Sequence, residues 1–296
     1  MNYYPKKIFI CTSVILIFLS EKSIAQAITD SVLIEDHFRT FHFNEPKKSL
    51  HDPSLVFVLH GSGGDGIGMM NAAKKMEEKA NRENAIVVYP DGYKKYWNEC
   101  RKASPVEANQ IDINEQAFFD AMIRYFKKKY DVDEKNVFAV GTSGGGHMAY
   151  KLALTMPDKF RAITAIIANL PDTDNMDCAM SGKPISVMIV NGTADKTNPY
   201  NGGEVNIGFS LGNVRSTERT FQYWSDLDGY KNEKPKEEML PDNDPNDGKT
   251  IEKFTYKDRD KPEVTLLKVI GGRHDYPNDI DVHVEAWEFF KRQMKK

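Results

Sequence analysis

Three side chains in this sequence have the types, the order and the neighbours that nucleophilic acyl transfer requires. Ser143 sits in Gly141-Thr142-Ser143-Gly144-Gly145, Asp195 in Asn191-Gly192-Thr193-Ala194-Asp195, and His274 in Gly271-Gly272-Arg273-His274. A serine hydroxyl is a weak nucleophile at neutral pH, so it needs a histidine to take its proton and an acid to orient that histidine. The first segment has the G-x-S-x-G form of a nucleophile elbow, in which glycines flank a serine on a strained strand-to-helix turn. Taken singly, the string is more often an ordinary Gly/Ser loop, Asp195 a turn residue or helix cap, and His274 a polar loop residue. Each, however, directly follows a short apolar run, and they occur in the order Ser, Asp, His. That joint placement outweighs the separate readings.

Acyl transfer also needs donors aimed at the developing oxyanion, each typically worth ~3–4 kcal/mol of barrier. The backbone N–H of Gly144, just after the nucleophile, is one candidate. The other is the N–H of Ser62 in His60-Gly61-Ser62-Gly63-Gly64, a histidine-glycine turn that follows the apolar run 55–59. The turn lacks the Lys-Ser/Thr ending of a phosphate-binding loop. Of the other histidines, His147 falls in the helix after the elbow and His283 at the start of the last helix. His37, His42 and His51 precede the first core strand, and none of the five occupies a loop where a base is expected.

The elements that must position these groups are legible from periodicity. Continuous Val/Ile/Leu runs at 55–59, 85–89, 137–140, 162–167, 185–190 and 264–270 are what fully buried parallel strands look like. Helical patterns intervene at 69–80, 116–130, 148–156, 217–227 and 284–294, and alternation over 32–34 and 38–43 suggests an opening antiparallel pair. The expected fold is α/β, with a mostly parallel central sheet, helices on both faces, and reactive residues at the carboxyl ends of strands. The polar stretch 231–248 reads as a surface loop. Its Asp242-to-Asp247 run superficially suggests calcium, but an EF-hand register would need Gly at Asp247 and Glu at Lys253, so no metal is expected.

Residues 1–27 have the form of a secretory signal peptide: Lys6 and Lys7, an apolar run over 8–19, and small residues at Ala25 and Ala27. The run is short for a membrane span. Residues 28–296 would then form one catalytic domain, secreted or periplasmic, with no membrane association after cleavage. Removing the leader takes away three lysines and one glutamate, so the formal charge goes from −3 to −5. That mildly acidic chain has no basic footprint for nucleic acid. Two cysteines remain, Cys100 and Cys178. In an oxidising compartment they could form one disulfide, worth ~4 kcal/mol in the chain-entropy model, or stay unpaired. No cofactor fingerprint is present, and nothing sets an oligomeric state.

Taken together, several motifs resemble those of the secreted polyhydroxybutyrate depolymerases and feruloyl esterases of carbohydrate esterase family one, in the α/β-hydrolase superfamily. The carriers are Leu59-His60-Gly61, Tyr89-Pro90-Asp91-Gly92 with Trp97-Asn98, the elbow at Ser143, the Asp195 segment with Pro199-Tyr200, and Gly271-Gly272-Arg273-His274. The resemblance runs over essentially all of residues 28–296. It implies Ser143 as nucleophile, Asp195 as orienting acid and His274 as general base, with no cofactor. It also implies Trp97 lining the substrate cleft, with Tyr200 and Tyr276 as further substrate contacts. Two departures bear on the acyl group: Tyr276 stands where the family often has tryptophan, and Gly144 where it commonly has asparagine.

The implied substrates are small-molecule or polysaccharide esters, with feruloyl or acetyl esters of plant polysaccharides first and hydroxyalkanoate polyester or its oligomers second. No binding module follows the last predicted helix, which favours soluble or oligomeric esters. A catalytically silent fold used for binding is the rival from another class, and the complete set of reactive groups speaks against it. Peptidase activity would be expected to come with an additional domain.

Overall fold

The computed structural model describes residue 1, residues 27–46 and residues 48–294. The expected leader, residues 1–27, therefore lies outside the described residues except at its two ends.

The chain opens with an antiparallel hairpin, β1 (Ala27–Ile34) and β2 (His37–Asn44), joined by a two-residue turn. Next come β3 (Ser54–Leu59), the helices α1 (Gly66–Ala72) and α2 (Lys74–Arg82), and β4 (Ala85–Pro90). The short α3 (Glu107–Gln110) and the long α4 (Glu115–Tyr130) lead to β5 (Val137–Thr142), α5 (Gly144–Thr155) and β6 (Ala162–Ile166). Beyond a 3-10 turn at Thr173–Asn175 follow β7 (Ser186–Gly192), a small hairpin β8 (Gly203–Asn206) and β9 (Ser210–Val214), and α6 (Thr217–Leu227). The chain closes with β10 (Lys236–Met239), β11 (Thr250–Tyr256), β12 (Val264–Ile270) and α7 (Val282–Gln293).

Among the described residues, ten strands make one sheet in the order β1-β2-β4-β3-β5-β6-β7-β12-β11-β10. The run from β4 to β12 is parallel, and the antiparallel pairs lie at the two edges. Successive side chains of a strand point to opposite faces, so a strand covered on both sides must be apolar throughout. In β3, Leu55, Phe57 and Leu59 pack on one face with α4, α5 and α6, while Val56 and Val58 pack on the other with α1, α2 and α7. The α4 stripe of Phe118, Phe119, Met122, Ile123 and Phe126 is fully buried against the first face. This is a doubly covered α/β sheet, and every parallel strand ends toward the same rim.

The structure adds α3, β8, β9 and β11 to the expected elements, and it departs from the expectation in two further places. The helical pattern at 69–80 is two helices, broken at Ala73 (φ −95°, ψ 15°). The stretch expected as loop contains β10, which pairs with β11 by charge: Lys253 on β11 meets Glu238 on β10, and Lys268 on β12 meets Glu252 on β11. Such an edge strand carries no apolar alternation, so periodicity does not show it.

A disulfide joins Cys100 to Cys178 with Cα atoms 5.1 Å apart, tying the segment before α3 to the one after the 3-10 turn. At the end of α6, Asp228 is 3% exposed and accepts the Ile185 N–H at 3.0 Å, while its second oxygen has no partner. Burial raises its pKa to about 8. The native state therefore keeps a proton that the unfolded chain loses near pH 4. The neutral acid's contribution is complete below that pH, declines as pH rises, and is gone above about 8. Asp228→Asn removes the titration. Thermal unfolding should show the variant gaining in Tm relative to the parent between pH 4 and pH 8.5, and a constant difference would refute the assignment.

Candidate active site

The site is built where β5 turns into α5. Ser143 takes φ 54° and ψ −117°, a conformation that costs ~1–3 kcal/mol and survives only where its surroundings enforce it. Enforcement comes from both sides: the Ser143 N–H donates to Ile166 O at 2.8 Å, and its carbonyl accepts the His147 N–H at 3.0 Å. The flanking glycines follow from space. A Cβ on Gly141 would lie 2.0 Å from Gly145 O, and one on Gly145 would lie 2.3 Å from Leu59 O. Only hydrogen fits at either position, which is why the motif reads as it does.

His274 and Asp195 arrive on the loops after β12 and β7, which are adjacent parallel strands. Close stitching joins the two loops. Thr193 and Ala194 donate their N–H groups to Val269 O and Gly272 O, and the Gly271 N–H donates to Thr193 Oγ1. A Cβ on Gly192 would stand 2.3 Å from Gly272 O, so the glycines of both motifs mark this approach. The Ser143 hydroxyl is 3.0 Å from His274 Nε2, and His274 Nδ1–H donates to Asp195 Oδ2 at 2.7 Å. The other Asp195 oxygen accepts the Thr197 and Asn198 N–H groups at 2.8 and 2.9 Å. Its side chain is 1% exposed and that of His274 25%. The acid is thus locked, while the base faces the cleft. This geometry can pass a proton from the serine hydroxyl to the imidazole and hold the resulting cation.

The turn after β3 brings Ser62 against the start of α5: a Cβ on Gly144 would come within 2.9 Å of Ser62 N. Gly144 holds the first helical position, whose N–H has no intrahelical acceptor. Among the described residues, the Ser62 N–H also has no backbone acceptor. Two free amide donors therefore sit side by side next to Ser143. His60 braces this turn. Its Nε2 accepts the Gly92 N–H at 2.8 Å, so Nδ1 carries the hydrogen and donates to Gly61 O at 2.7 Å. Burial lowers its pKa, which keeps the ring neutral.

Trp97 is 2% exposed, donates its indole N–H to His60 O at 2.8 Å, and lies 4.8 Å from the His60 ring. Together with Ser62 and Gly144 it walls a small cavity of about 10 Å³, room for about one water molecule. Tyr200 is 5% exposed, inside the loop beyond Asp195, and its carbonyl accepts the Thr217 N–H at the start of α6. Tyr276 is half-buried, with its hydroxyl 2.8 Å from Thr142 Oγ1, directly before the nucleophile. A larger cleft beside Arg161, Glu263 and Arg292 contains none of Ser143, Asp195 or His274. Among the described residues, no group of three or more His, Cys, Asp or Glu is placed to hold a metal ion.

Some residues support the site in ways that the sequence does not reveal. Asn191, at the end of β7, accepts the Ala168 N–H and donates to Ala168 O, Asn169 Oδ1 and Thr217 Oγ1. It clamps the rim under Asp195, yet any strand may end in asparagine. His147 is fully buried, and desolvation, followed by the nearby Arg101 charge, drives its pKa well below the usual histidine range. It therefore adds no positive charge beneath His274.

The profile of a family described as "Putative esterase" matches residues 36–202. Similar relatives include feruloyl esterase C of Emericella nidulans, 29% identical over 164 residues, covering 54% of each chain. An acetylxylan esterase of Coprinopsis cinerea is 28% identical over 121 residues, 40% of this chain and 32% of its own. The chain spans about half the length of the curated relatives it matches. Among solved structures, the acetyl xylan esterase from Aspergillus awamori superposes with a TM-score of 0.57 at 18% identity, over 88% of this chain and 99% of its own. A ferulic acid esterase gives 0.54 at 14%, over 91% and 98%. These structures share the α/β-hydrolase fold.

The space around the elbow yields a stability test. Gly145→Ala puts a methyl group against the Leu59 and His60 carbonyl oxygens, which are backbone and cannot swing away. The expected loss is at or above ~3 kcal/mol, the top of the usual overpacking range. Urea denaturation would measure it, and a loss under about 1 kcal/mol would show that the turn has slack.

Proposed function

Because the chain belongs to the esterase family, we propose that it hydrolyses carboxylic esters with Ser143 as nucleophile, His274 as general base and Asp195 as orienting acid. The observation that carries this reading is the continuous relay from Ser143 Oγ to His274 to Asp195, at 3.0 and 2.7 Å. Ser143 attacks the ester carbonyl as its proton moves to His274 Nε2. Asp195 holds the imidazolium, and the N–H groups of Ser62 and Gly144 receive the oxyanion. Collapse expels the alcohol, which takes the proton from His274, and leaves an acyl group on Ser143. Water, activated by the same histidine, then releases the acid.

The substrates we assign are feruloyl or acetyl esters of plant polysaccharides. Support comes from relatives named feruloyl esterase and acetylxylan esterase. Trp97 forms the wall beside the oxyanion donors, while Tyr276 and Tyr200 act on the cleft through the elbow and the Asp195 loop that they pack. Hydroxyalkanoate esters would use the same three residues. We also assign residues 1–27 as an export leader and residues 28–296 as the mature enzyme, a reading that suits the Cys100–Cys178 disulfide. No helix among the described residues is long and apolar enough to cross a membrane.

Ser143→Ala should lower kcat on p-nitrophenyl acetate by up to ~10⁶-fold, by analogy with serine-hydrolase knockouts. Equal rates in the parent and the variant would exclude Ser143 as nucleophile. Comparing kcat/KM on methyl ferulate, an acetylated xylo-oligosaccharide and a hydroxybutyrate trimer ranks the acyl groups. The aromatic or acetyl ester should lead, and a dominant hydroxybutyrate rate would reverse the assignment.

A further inference from the structure

The Asp-rich run 242–247, which resembles a calcium loop without completing one, directs its polar groups at a different neighbour. It lies between β10 and β11 and closes on the segment after β12 that carries His274. The described residues between Ile270 and Val282 form no helix or strand. The ring of His274 has two good partners in Asp195 and Ser143. It reaches them only if its backbone is held in place, and a segment without regular structure has to be held from outside.

Two clips supply that hold. At the far end Asp279, 7% exposed, accepts the Asn243 and Asp244 N–H groups on one oxygen at 2.7 and 3.0 Å. The Asn243 amide donates to Asp279 O at 3.0 Å, and the Asn278 amide donates to Asp244 Oδ2 at 2.9 Å. At the near end stands Lys249, whose side chain is 13% exposed. Its ammonium donates to Asp275 Oδ1 at 3.1 Å and to Tyr276 O at 3.4 Å. The same Asp275 oxygen accepts the Arg273 N–H at 3.3 Å, so Lys249 and Asp275 together brace the residues on either side of His274. The loop is itself stiff: Asp247 Oδ1 accepts the Lys249 N–H at 2.8 Å, and the Asp247 N–H donates to Asp244 O at 3.0 Å. Tyr276 adds a second anchor through its hydroxyl, 2.8 Å from Thr142 Oγ1. The base is thus held between Thr142, beside the nucleophile, and Lys249, in the Asp-rich loop.

We propose that Lys249 is a positioning residue for the base, and that the loop 242–249 is a clamp that keeps His274 at reacting distance from Ser143. The assignment rests on the ester-hydrolase reading and deepens it. Lysine suits the place, because its ammonium has donors enough for a carboxylate and a carbonyl at once, on a long flexible stem. Asp275 is 48% exposed, and a pair half in water contributes little to stability. Removing the ammonium therefore loosens the base without unfolding the protein.

The test is the kinetics of Lys249→Met on p-nitrophenyl acetate, with Lys249→Arg as the conservative rescue. Methionine keeps most of the stem and removes the donors. The kcat of Lys249→Met should fall ~10- to 100-fold with KM within about two-fold of the parent's, the pattern of a misplaced catalytic group. Its Tm should stay within ~4 °C of the parent's. Lys249→Arg, which restores the charge and the donors, should recover most of the lost kcat. Asp275→Asn should also lower kcat, and the double variant Lys249→Met/Asp275→Asn should be no slower than the slower single one, because both act through one contact. Phenylmethanesulfonyl fluoride gives a second readout, since its reaction with Ser143 needs the base and not the ester site, and it should slow along with kcat. A kcat within about two-fold of the parent's in Lys249→Met overturns the clamp, as does a loss confined to KM or one that Lys249→Arg shares in full. Asp275→Asn, which is nearly isosteric, keeps the test usable if Lys249→Met does not fold. A Ser143→Ala variant as fast as the parent would bring down the ester-hydrolase reading, whereas an inactive Ser143→Ala beside an unimpaired Lys249→Met brings down the clamp alone.

Discussion

The structure depends on one tight junction, where the ends of β3 and β5 meet the first turn of α5. Ser143 is held in a backbone conformation that an isolated chain would leave at once, and the hold is steric. Gly141 and Gly145 each lie against a carbonyl oxygen closer than a methyl group could approach, and Gly146 lies against the Ala168 methyl group. The same contact fixes three things together: the direction of the serine hydroxyl, the free N–H of Gly144, and the distance from Gly144 to the Ser62 turn. A change in any one of them moves the others, because the interior there is close-packed and cannot yield.

Around that junction the protein manages charge by keeping nearby groups neutral or paired. His60 and His147 are held uncharged by burial, one beneath the Ser62 turn and one within α5. Arg101 is paired with Glu99, and Arg39 with Glu115, all of them nearly inaccessible. A buried pair is a poor source of stability, since desolvation offsets most of its attraction. Its effect here is geometric, because each pair fixes one loop: Glu115 also accepts the Asn98 N–H beside Trp97, and Glu99 shapes the segment that carries Arg101. Beside Ser143 stand the groups assigned to the proposed acyl transfer, the Ser62 and Gly144 N–H groups and the His274–Asp195 pair. Preorganised dipoles of this kind need no rearrangement when charge develops.

The two edges of the sheet show why parts of the fold are harder to read than its centre. The central strands are buried on both faces and appear as unbroken apolar runs, so Leu55–Leu59 or Val137–Val140 could hardly be anything else. At the far edge, β10 and β11 are held by Lys253–Glu238 and similar pairs, whose residues would look the same in a solvated loop. The β8–β9 hairpin buries only Val205, Leu211 and Val214, a cluster too small to impose a period. Its Leu211 nonetheless reaches the recess beside Ser62 and Gly144, so a segment with almost no pattern helps to shape the surroundings of the elbow.

The amino-acid sequence by itself determined the fold class and the three residues of the relay. Buried parallel strands require continuous apolar runs, and turns without room for a side chain require glycine, so both constraints are written in residue types. Only the tertiary structure decided what lies around the relay. The pairing of Arg101 with Glu99 across two residues, the orphaned Nη1 and Ser104 hydroxyl, the brace from Tyr276 to Thr142, and the Asn191 clamp arise from groups brought together through space. Arginine, serine, tyrosine and asparagine occur on any protein surface. What distinguishes these four is burial and the absence or presence of a partner, and neither exists until the chain has folded.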